Sequence, residues 1–520
     1  MAQTDIEGEE LHRPLFAVDL LVNALNLYGE RPLIHLLDGP TLTVGEVRDA
    51  TSQYVQALAS LGVARGTRVA VLSSNRPEVL HVAHAAQILA TIYVPMHPLS
   101  GLADHLHVAT DAEIQVLVFE PDRFGERAEA LAAQVPGLRL VAFGASPVAE
   151  DLCALAETMT PAPLVAPKVG PSDVMRYGYS GGTTGKPKSL PSVQRTAINT
   201  LQIMMSEWEW PRPPRVLSCA PLSHAGSAMV LPTLLMGGTI LVLPSFNPLE
   251  VMEKIQTHQI NCMLVVPTMI YAILDHPRFD EFDLSSLETV FYGASAISPV
   301  RLREAIQRIG PVFAQFYGQA EVPQTICVLR KADHDVTDLR RLASCGRPTP
   351  WLRVALLDSD CRPVPDGEPG EICVRGPLIF DGYRNNPELN AETWRGGWHH
   401  TGDVAVKDPD GFFRIVDRTK DMIVTGGFNV YPREIEDILG EHAAVAQVAV
   451  IGVPHEKWGE AVKAVVVLRA GQVADPAELM AMVAERKGAF QAPKTVDFVE
   501  AIPQTPLGKP DKKALRAVYC

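Results

Sequence analysis

Six consecutive residues, Ser180 to Gly185, are all glycine or hydroxyl-bearing, and Lys186-Pro187-Lys188 follows them directly. Glycines let backbone N–H groups close on an anion, and the hydroxyls of Ser180, Thr183 and Thr184 can donate to phosphate oxygens. Lys186 and Lys188 add positive charge. A glycine run alone is usually a flexible surface turn; the Lys-Pro-Lys clamp favours a phosphate cradle. It is not a Walker loop, because Pro187 follows Gly185-Lys186 where Ser or Thr would be required. A second candidate is His224 in PLSH, followed by the small residues Ala225, Gly226, Ser227 and Ala228, which would leave room for a ligand.

The run Ser180-Gly181-Gly182-Thr183-Thr184-Gly185-Lys186-Pro187-Lys188-Ser189 resembles the phosphate loop of the adenylate-forming superfamily. That superfamily holds acyl-CoA synthetases, luciferases and peptide-synthetase adenylation domains, and the resemblance is closest to fatty-acid or aryl-acid CoA ligases. Its final glycine is Ser189 here. Further motifs occur in the family's order and cover most of the chain. The resemblance implies an ATP-dependent ligase that forms acyl-adenylate and pyrophosphate, then acyl-CoA and AMP, using Mg²⁺ and coenzyme A.

The same resemblance implies roles for individual residues. ATP or AMP would be held by Ser180, Gly181, Gly182, Thr183, Thr184, Gly185 and Lys188, with Thr184 also catalytic. YGASAIS (Tyr292 to Ser298) looks like an adenine-binding turn through Gly293, Ala294 and Ser295. YGQAE places Tyr317, Gly318 and Gln319 at the nucleotide and gives Glu321 as the Mg²⁺ carboxylate, an oxygen donor suited to a hard cation. Ala320 stands where the family has threonine. Asp403 would accept from both ribose hydroxyls, with Arg418 as a second contact. Lys509, preceded by Gly508, would bridge the substrate carboxylate and the α-phosphate. His224, Ala225, Gly226, Met269 and Tyr292 would line the acyl pocket. Gly426, Gly427, Trp458 and Lys494 would meet coenzyme A, and Lys420 would be the hinge of a lid.

The elements that must hold these residues form an α/β pattern. Val47, Tyr54, Leu58 and Leu61 share one helical face, and VAVLSS (Val69 to Ser74) reads as a buried strand. Pro77 opens a helix to about Leu89, and TIYV (Thr91 to Val94) is the next strand. Strand, helix, strand in succession implies a parallel sheet. The pattern recurs at Val116 to Glu120, Thr239 to Pro244 and Asn261 to Pro267. The proline-rich segment 160–171 reads as an extended linker between subdomains. From Val354 to Arg375 short strands alternate with turns, and after Arg418 the chain becomes a small α+β unit. The expected architecture is a large N-terminal domain, 1–419, of stacked αβα subdomains with a β-rich, barrel-like part. A mobile α+β lid, 420–520, completes it.

The net charge of −14 over 520 residues argues against a nucleic-acid or anionic-membrane binder, since both need a positive field. No stretch reaches the ~20 apolar residues of a spanning helix. The acidic start, MAQTDIEGEE, lacks the basic region and apolar core of a signal peptide. The eight cysteines show no metal-ligand spacing, so buried thiols in the cytoplasm are expected. Fatty, aryl and steroid side-chain acids all fit as substrates, and a hydrophobic acid, fatty or related, is the preferred expectation. A ligase loading a carrier protein and a degenerate nucleotide-binding protein are the alternatives. Monomer and homodimer are both compatible with the sequence.

Overall fold

Alternation of apolar residues builds the first sheet. In the strand Arg68–Leu72, Val69 and Val71 enter one core while Ala70 and Leu72 enter another, because successive side chains point to opposite faces. The computed structural model describes residues 12–37, 39–180, 187–418, 421–425, 428–456, 458–505 and 510–520. Arg68–Leu72 lies parallel to Ile92–Pro95 on one side and Val116–Phe119 on the other, within a sheet of seven described strands. Its crossover helices start where the local chemistry favours it. Thr43 and Glu46 exchange side-chain bonds with each other's backbone N–H to open Val44–Ser60, and Pro77 occupies the first turn of Pro77–Ile88.

A second sheet, of nine described strands, has Arg215–Ser218, Cys262–Val265, Thr289–Tyr292 and Phe313–Tyr317 side by side and parallel. One apolar core joins the two sheets: Val69, Val116 and Val141 from the first meet Val216, Ile240 and Phe291 from the second. Buried Asn75 fastens the joint. Its Nδ2 donates to the carbonyls of Ala220 (3.0 Å) and Leu243 (3.1 Å), while Oδ1 accepts from the Leu222 N–H (2.8 Å).

The segment expected to be an extended linker has no regular structure from 160 to 170, and it is pinned along its length. Ser52 Oγ both donates to the Ala162 carbonyl and accepts from its N–H, each at 2.8 Å. Asn26 and Gln56 donate to the carbonyls of Leu164 and Thr160.

The β-rich part is a four-stranded antiparallel sheet of Arg353–Leu357, Gly370–Arg375, His399–Lys407 and Phe413–Arg418. The small C-terminal unit packs helices Pro432–Gly440 and Pro476–Lys487 around the long hairpin Val445–His455 and Gly459–Leu468. It touches the large domain through Arg433, whose Nη2 donates to the Ile297 carbonyl at 2.6 Å. Arg414 and Glu434 form a further ion pair at 3.2 Å. Among the described residues no helix is long and apolar enough to cross a membrane.

Candidate active site

The strands Val174–Ser180 and Lys188–Val193 pair antiparallel, with Ser180 opposite Lys188. The phosphate-loop candidate is therefore the connection of a hairpin. Gly181, Gly182, Thr183, Thr184, Gly185 and Lys186 lie outside the described residues. Where the chain returns, His107 Nε2 meets the Pro187 carbonyl at 2.8 Å and Lys188 Nζ lies 5.4 Å from the centre of the Tyr383 ring.

The nucleotide candidates converge on one carboxylate. Asp403 sits in the edge-to-edge pairing of His399–Lys407 with Phe413–Arg418, where its register partner is Arg418. Asp403 is buried, and its Oδ2 accepts from the Tyr317 hydroxyl at 2.6 Å and from Gln319 Nε2 at 2.7 Å. Gln319 Nε2 also donates to the Thr401 carbonyl at 2.8 Å. Burial, with the Asp403 charge second, raises the Tyr317 pKa well above its ordinary value, so this hydroxyl is a fixed donor. The structure thus brings Tyr317, Gln319 and Asp403 together and places Arg418 across the ladder.

Glu321, two residues beyond Gln319, accepts from the Tyr383 hydroxyl at 2.7 Å through Oε1. Burial, and next the Glu321 charge, push the Tyr383 pKa upward. Its carboxylate oxygens match the donor type that Mg²⁺ requires. Ala320 is exposed, and Ser189 is buried with its carbonyl accepting from the Arg384 N–H at 3.2 Å.

The turn after Thr289–Tyr292 is tight for a packing reason. A Cβ on Gly293 would come 2.5 Å from the Phe316 carbonyl oxygen, so the strand Phe313–Tyr317 tolerates only glycine there. Ala294 follows at φ 65°, a left-handed conformation.

The acyl candidates divide. The His224 ring lies edge-on to His97, with centroids 4.6 Å apart, and its Nδ1 is 2.9 Å from Ser223 Oγ. Arg176 donates to the Ser223 carbonyl at 2.8 Å, steadying the same turn. Burial first, then His97 and Arg176, lower the His224 pKa to about 3, which leaves the imidazole neutral near pH 7. Ala225 packs against the core shared by the two sheets, and Met269 is partly buried against the other face of the second sheet. Two expectations need correction. Gly226 does not open space for a ligand: a Cβ there would lie 2.4 Å from the Ala220 carbonyl oxygen, so its smallness serves backbone packing. Tyr292 is fully enclosed, with its hydroxyl on Gln315 (3.1 Å) and His334 (2.9 Å), and lines no open pocket.

Trp458 and Lys494 come together in the small domain. Lys494 Nζ lies 5.4 Å from the Trp458 ring centre, and His455 stacks on that ring at 4.2 Å. Lys420, Gly426, Gly427 and Lys509 lie outside the described residues. The sequence reading missed Tyr383, His97, Arg176 and Asn75. None carries a local signal, since each matters only through a partner distant in the chain.

Comparison with known proteins identifies the family. The AMP-binding enzyme family matches residues 23–384, and its C-terminal domain matches residues 434–509. The chain is 51% identical to the medium/long-chain-fatty-acid–CoA ligase FadD8 of Mycobacterium tuberculosis, covering 100% of this chain and 93% of that protein. It is 36% identical to a feruloyl-CoA synthase of Amycolatopsis, covering 91% of this chain and 92% of the relative. The solved structure of the amide bond synthetase McbA from Marinactinospora thermotolerans superimposes with a TM-score of 0.89 at 31% identity, covering 97% of this chain and 100% of McbA. With family models matching residues 23–384 and 434–509, this chain belongs to the AMP-binding enzyme family.

Proposed function

We propose that the chain is an AMP-forming acid–CoA ligase acting on a hydrophobic carboxylic acid, with medium or long fatty acids as the preferred class. The carrying observation is the convergence of Tyr317 and Gln319 on one oxygen of Asp403, in the turn that also presents Glu321. The 51% identity to a ligase named for medium- and long-chain fatty acids supports the substrate class.

A free carboxylate does not acylate thiols, because its leaving group would be oxide; exchanging that for AMP makes transfer feasible. Much of the catalysis is positioning and charge stabilisation. Asp403 takes the ribose hydroxyls, held in place by Tyr317 and Gln319. Residues 180–185 and Lys188 take the phosphates, and Gly293 to Ser295 the adenine. Arg418 and Gly318 complete the nucleotide site. His224, neutral and buried, borders the acyl chain without bringing a charge to it, together with Ala225 and Met269. Mg²⁺ held at Glu321 would supply charge neutralisation on the triphosphate. Lys509 stabilises charge as the acid oxygen attacks the α-phosphorus and pyrophosphate leaves.

The lid is 420–520, turning at Lys420, and Gly426, Gly427, Trp458 and Lys494 receive coenzyme A for the second step. The cytoplasm is the proposed location, where unpaired thiols stay reduced.

The test is mass spectrometry of ATP conversion with a panel of aliphatic, aryl and steroid acids, with and without coenzyme A. AMP and an acyl-CoA formed from aliphatic acids supports the reading. Acyl-adenylate with no thioester would move the acceptor to a carrier protein or an amine. Lys509→Ala should cripple adenylation and spare thioester formation from supplied acyl-adenylate; equal loss of both steps would overturn its role.

A further inference from the structure

The β-rich sheet brings together three residues that the sequence keeps apart. Glu371 and Cys373 lie on Gly370–Arg375 and His400 on the neighbouring His399–Lys407, with Cys373 and His400 register partners. Their donor atoms all lie within 4.8 Å of one another. His400 Nδ1 is 2.7 Å from Glu371 Oε2 and 3.3 Å from Cys373 Sγ. Cys373 is fully buried, the His400 side chain is 4% exposed and that of Glu371 is 13% exposed. Exposed carboxylate clusters are common on protein surfaces; an enclosed carboxylate–thiol–imidazole set is not of that kind.

We propose that Glu371, Cys373 and His400 form a binding site for a thiophilic divalent cation of the Zn²⁺ class. The donor chemistry selects the metal: one thiolate, one imidazole and one carboxylate suit borderline-soft Zn²⁺ and not Mg²⁺ or Ca²⁺, which take oxygen ligands. Zinc bonds of about 2.0–2.3 Å place tetrahedral donors roughly 3.2–3.8 Å apart, within small shifts of the present spacing. The far side of the imidazole is already arranged as a ligand's would be. The Arg395 carbonyl, 3.2 Å from His400 Nε2, can accept from that nitrogen once the ring proton shifts there from Nδ1, which without the cation donates to Glu371 Oε2 at 2.7 Å. Three protein ligands leave the fourth position to water. Binding releases the Cys373 thiol proton to solvent, because only the thiolate is a ligand.

Arg395 holds the same Glu371 oxygen at 3.0 Å, and its side chain is 43% exposed. It must swing into solvent as the cation enters. Cys361 reaches the opposite side of the ring, 3.7 Å from Nε2, and stays outside the site. The other carboxylate oxygen, Oε1, accepts from the Gly402 N–H at 2.8 Å.

The first experiment titrates the full chain with Co²⁺ in excess Mg²⁺ and follows the thiolate-to-cobalt charge-transfer band in the near ultraviolet. One Co²⁺ per chain is expected, with the band abolished by Cys373→Ser and by His400→Gln and kept by Cys361→Ser and Cys520→Ser. A band that survives Cys373→Ser, or disappears with Cys520→Ser, would overturn the site. Because Cys373 and His400 are buried and their variants can misfold, X-ray absorption of the zinc-loaded unmodified chain provides a second reading. One sulfur at about 2.3 Å is expected. A shell of oxygen and nitrogen only, or no retained zinc after gel filtration, would sink the proposal.

Discussion

The Tyr383 hydroxyl donates to Oε1 of Glu321 at 2.7 Å, and the Tyr383 ring centre also lies 5.4 Å from Lys188 Nζ. One aromatic side chain therefore links the proposed metal carboxylate to the end of the phosphate loop. Removal of a residue that orients a ligand commonly costs about 10–100-fold in metal affinity or activity. Tyr383→Phe should accordingly raise the Mg²⁺ concentration for half-maximal ATP–pyrophosphate exchange about tenfold, with the ring packing retained. An unchanged Mg²⁺ dependence would remove Tyr383 from the role of orienting Glu321.

Asp403 should dominate nucleotide recognition. Hydrogen bonds to a charged group are worth about 1.5–3 kcal/mol, roughly 10- to 150-fold. Asp403→Ala should lower kcat/KM for ATP by that factor and leave the KM for the acid nearly unchanged. Tyr317→Phe, which removes one donor to Oδ2, should have a smaller effect of the same kind. Steady-state kinetics with each substrate varied in turn decides this.

Acid sensitivity should come from buried histidines. Burial lowers the pKa of His81 to about 4 and of His84 to about 3, from an ordinary value of 6.5. The folded chain thus resists protonation that the unfolded chain accepts. Stability is full above about pH 6.5 and falls as pH drops through that value toward the folded pKa, at up to about 1.4 kcal/mol per pH unit per histidine. Urea unfolding between pH 6.5 and 5 should show the decline, and His84→Gln should make it shallower by one histidine's share. A flat profile in the unmodified chain would contradict the burial of these rings.

Asn75 makes three side-chain hydrogen bonds across the joint between the two large sheets. Asn75→Leu would leave two carbonyls and one N–H without their partners, at about 1–3 kcal/mol each when buried. A melting temperature lowered by several degrees is expected, together with weaker acid binding, because Ala220 and Leu222 flank the turn that carries His224. Calorimetry and acid KM measured on the same variant test both halves.

Much of this architecture was legible because burial periodicity is local. The helix expected from Pro77 to about Leu89 runs Pro77–Ile88, and the apolar runs at 69, 92, 116, 239 and 262 are all strands. Side-chain partnerships are not local. Asn75 meets a carbonyl 145 positions away, and Tyr383 meets Glu321 at a separation of 62. No spacing rule reaches that far. Glu371, Cys373 and His400 were hidden for the same reason, since strand pairing closes a 29-residue gap between the first and last of them. Gly226 misled for a different reason: a small residue signals either space for a ligand or contact with a neighbouring backbone, and only coordinates distinguish the two.

The bonds from Ser52, Gln56 and Asn26 to residues 160–164 mean that the molecule cannot be divided at its proline-rich segment. A proteolytic nick there should leave the two halves associated under native conditions. A gene cut at the same place should give fragments with bare apolar faces, since Val69 and Val216 lie in one core. Any engineering that separates or exchanges parts of this protein therefore has to treat its two large sheets as one piece.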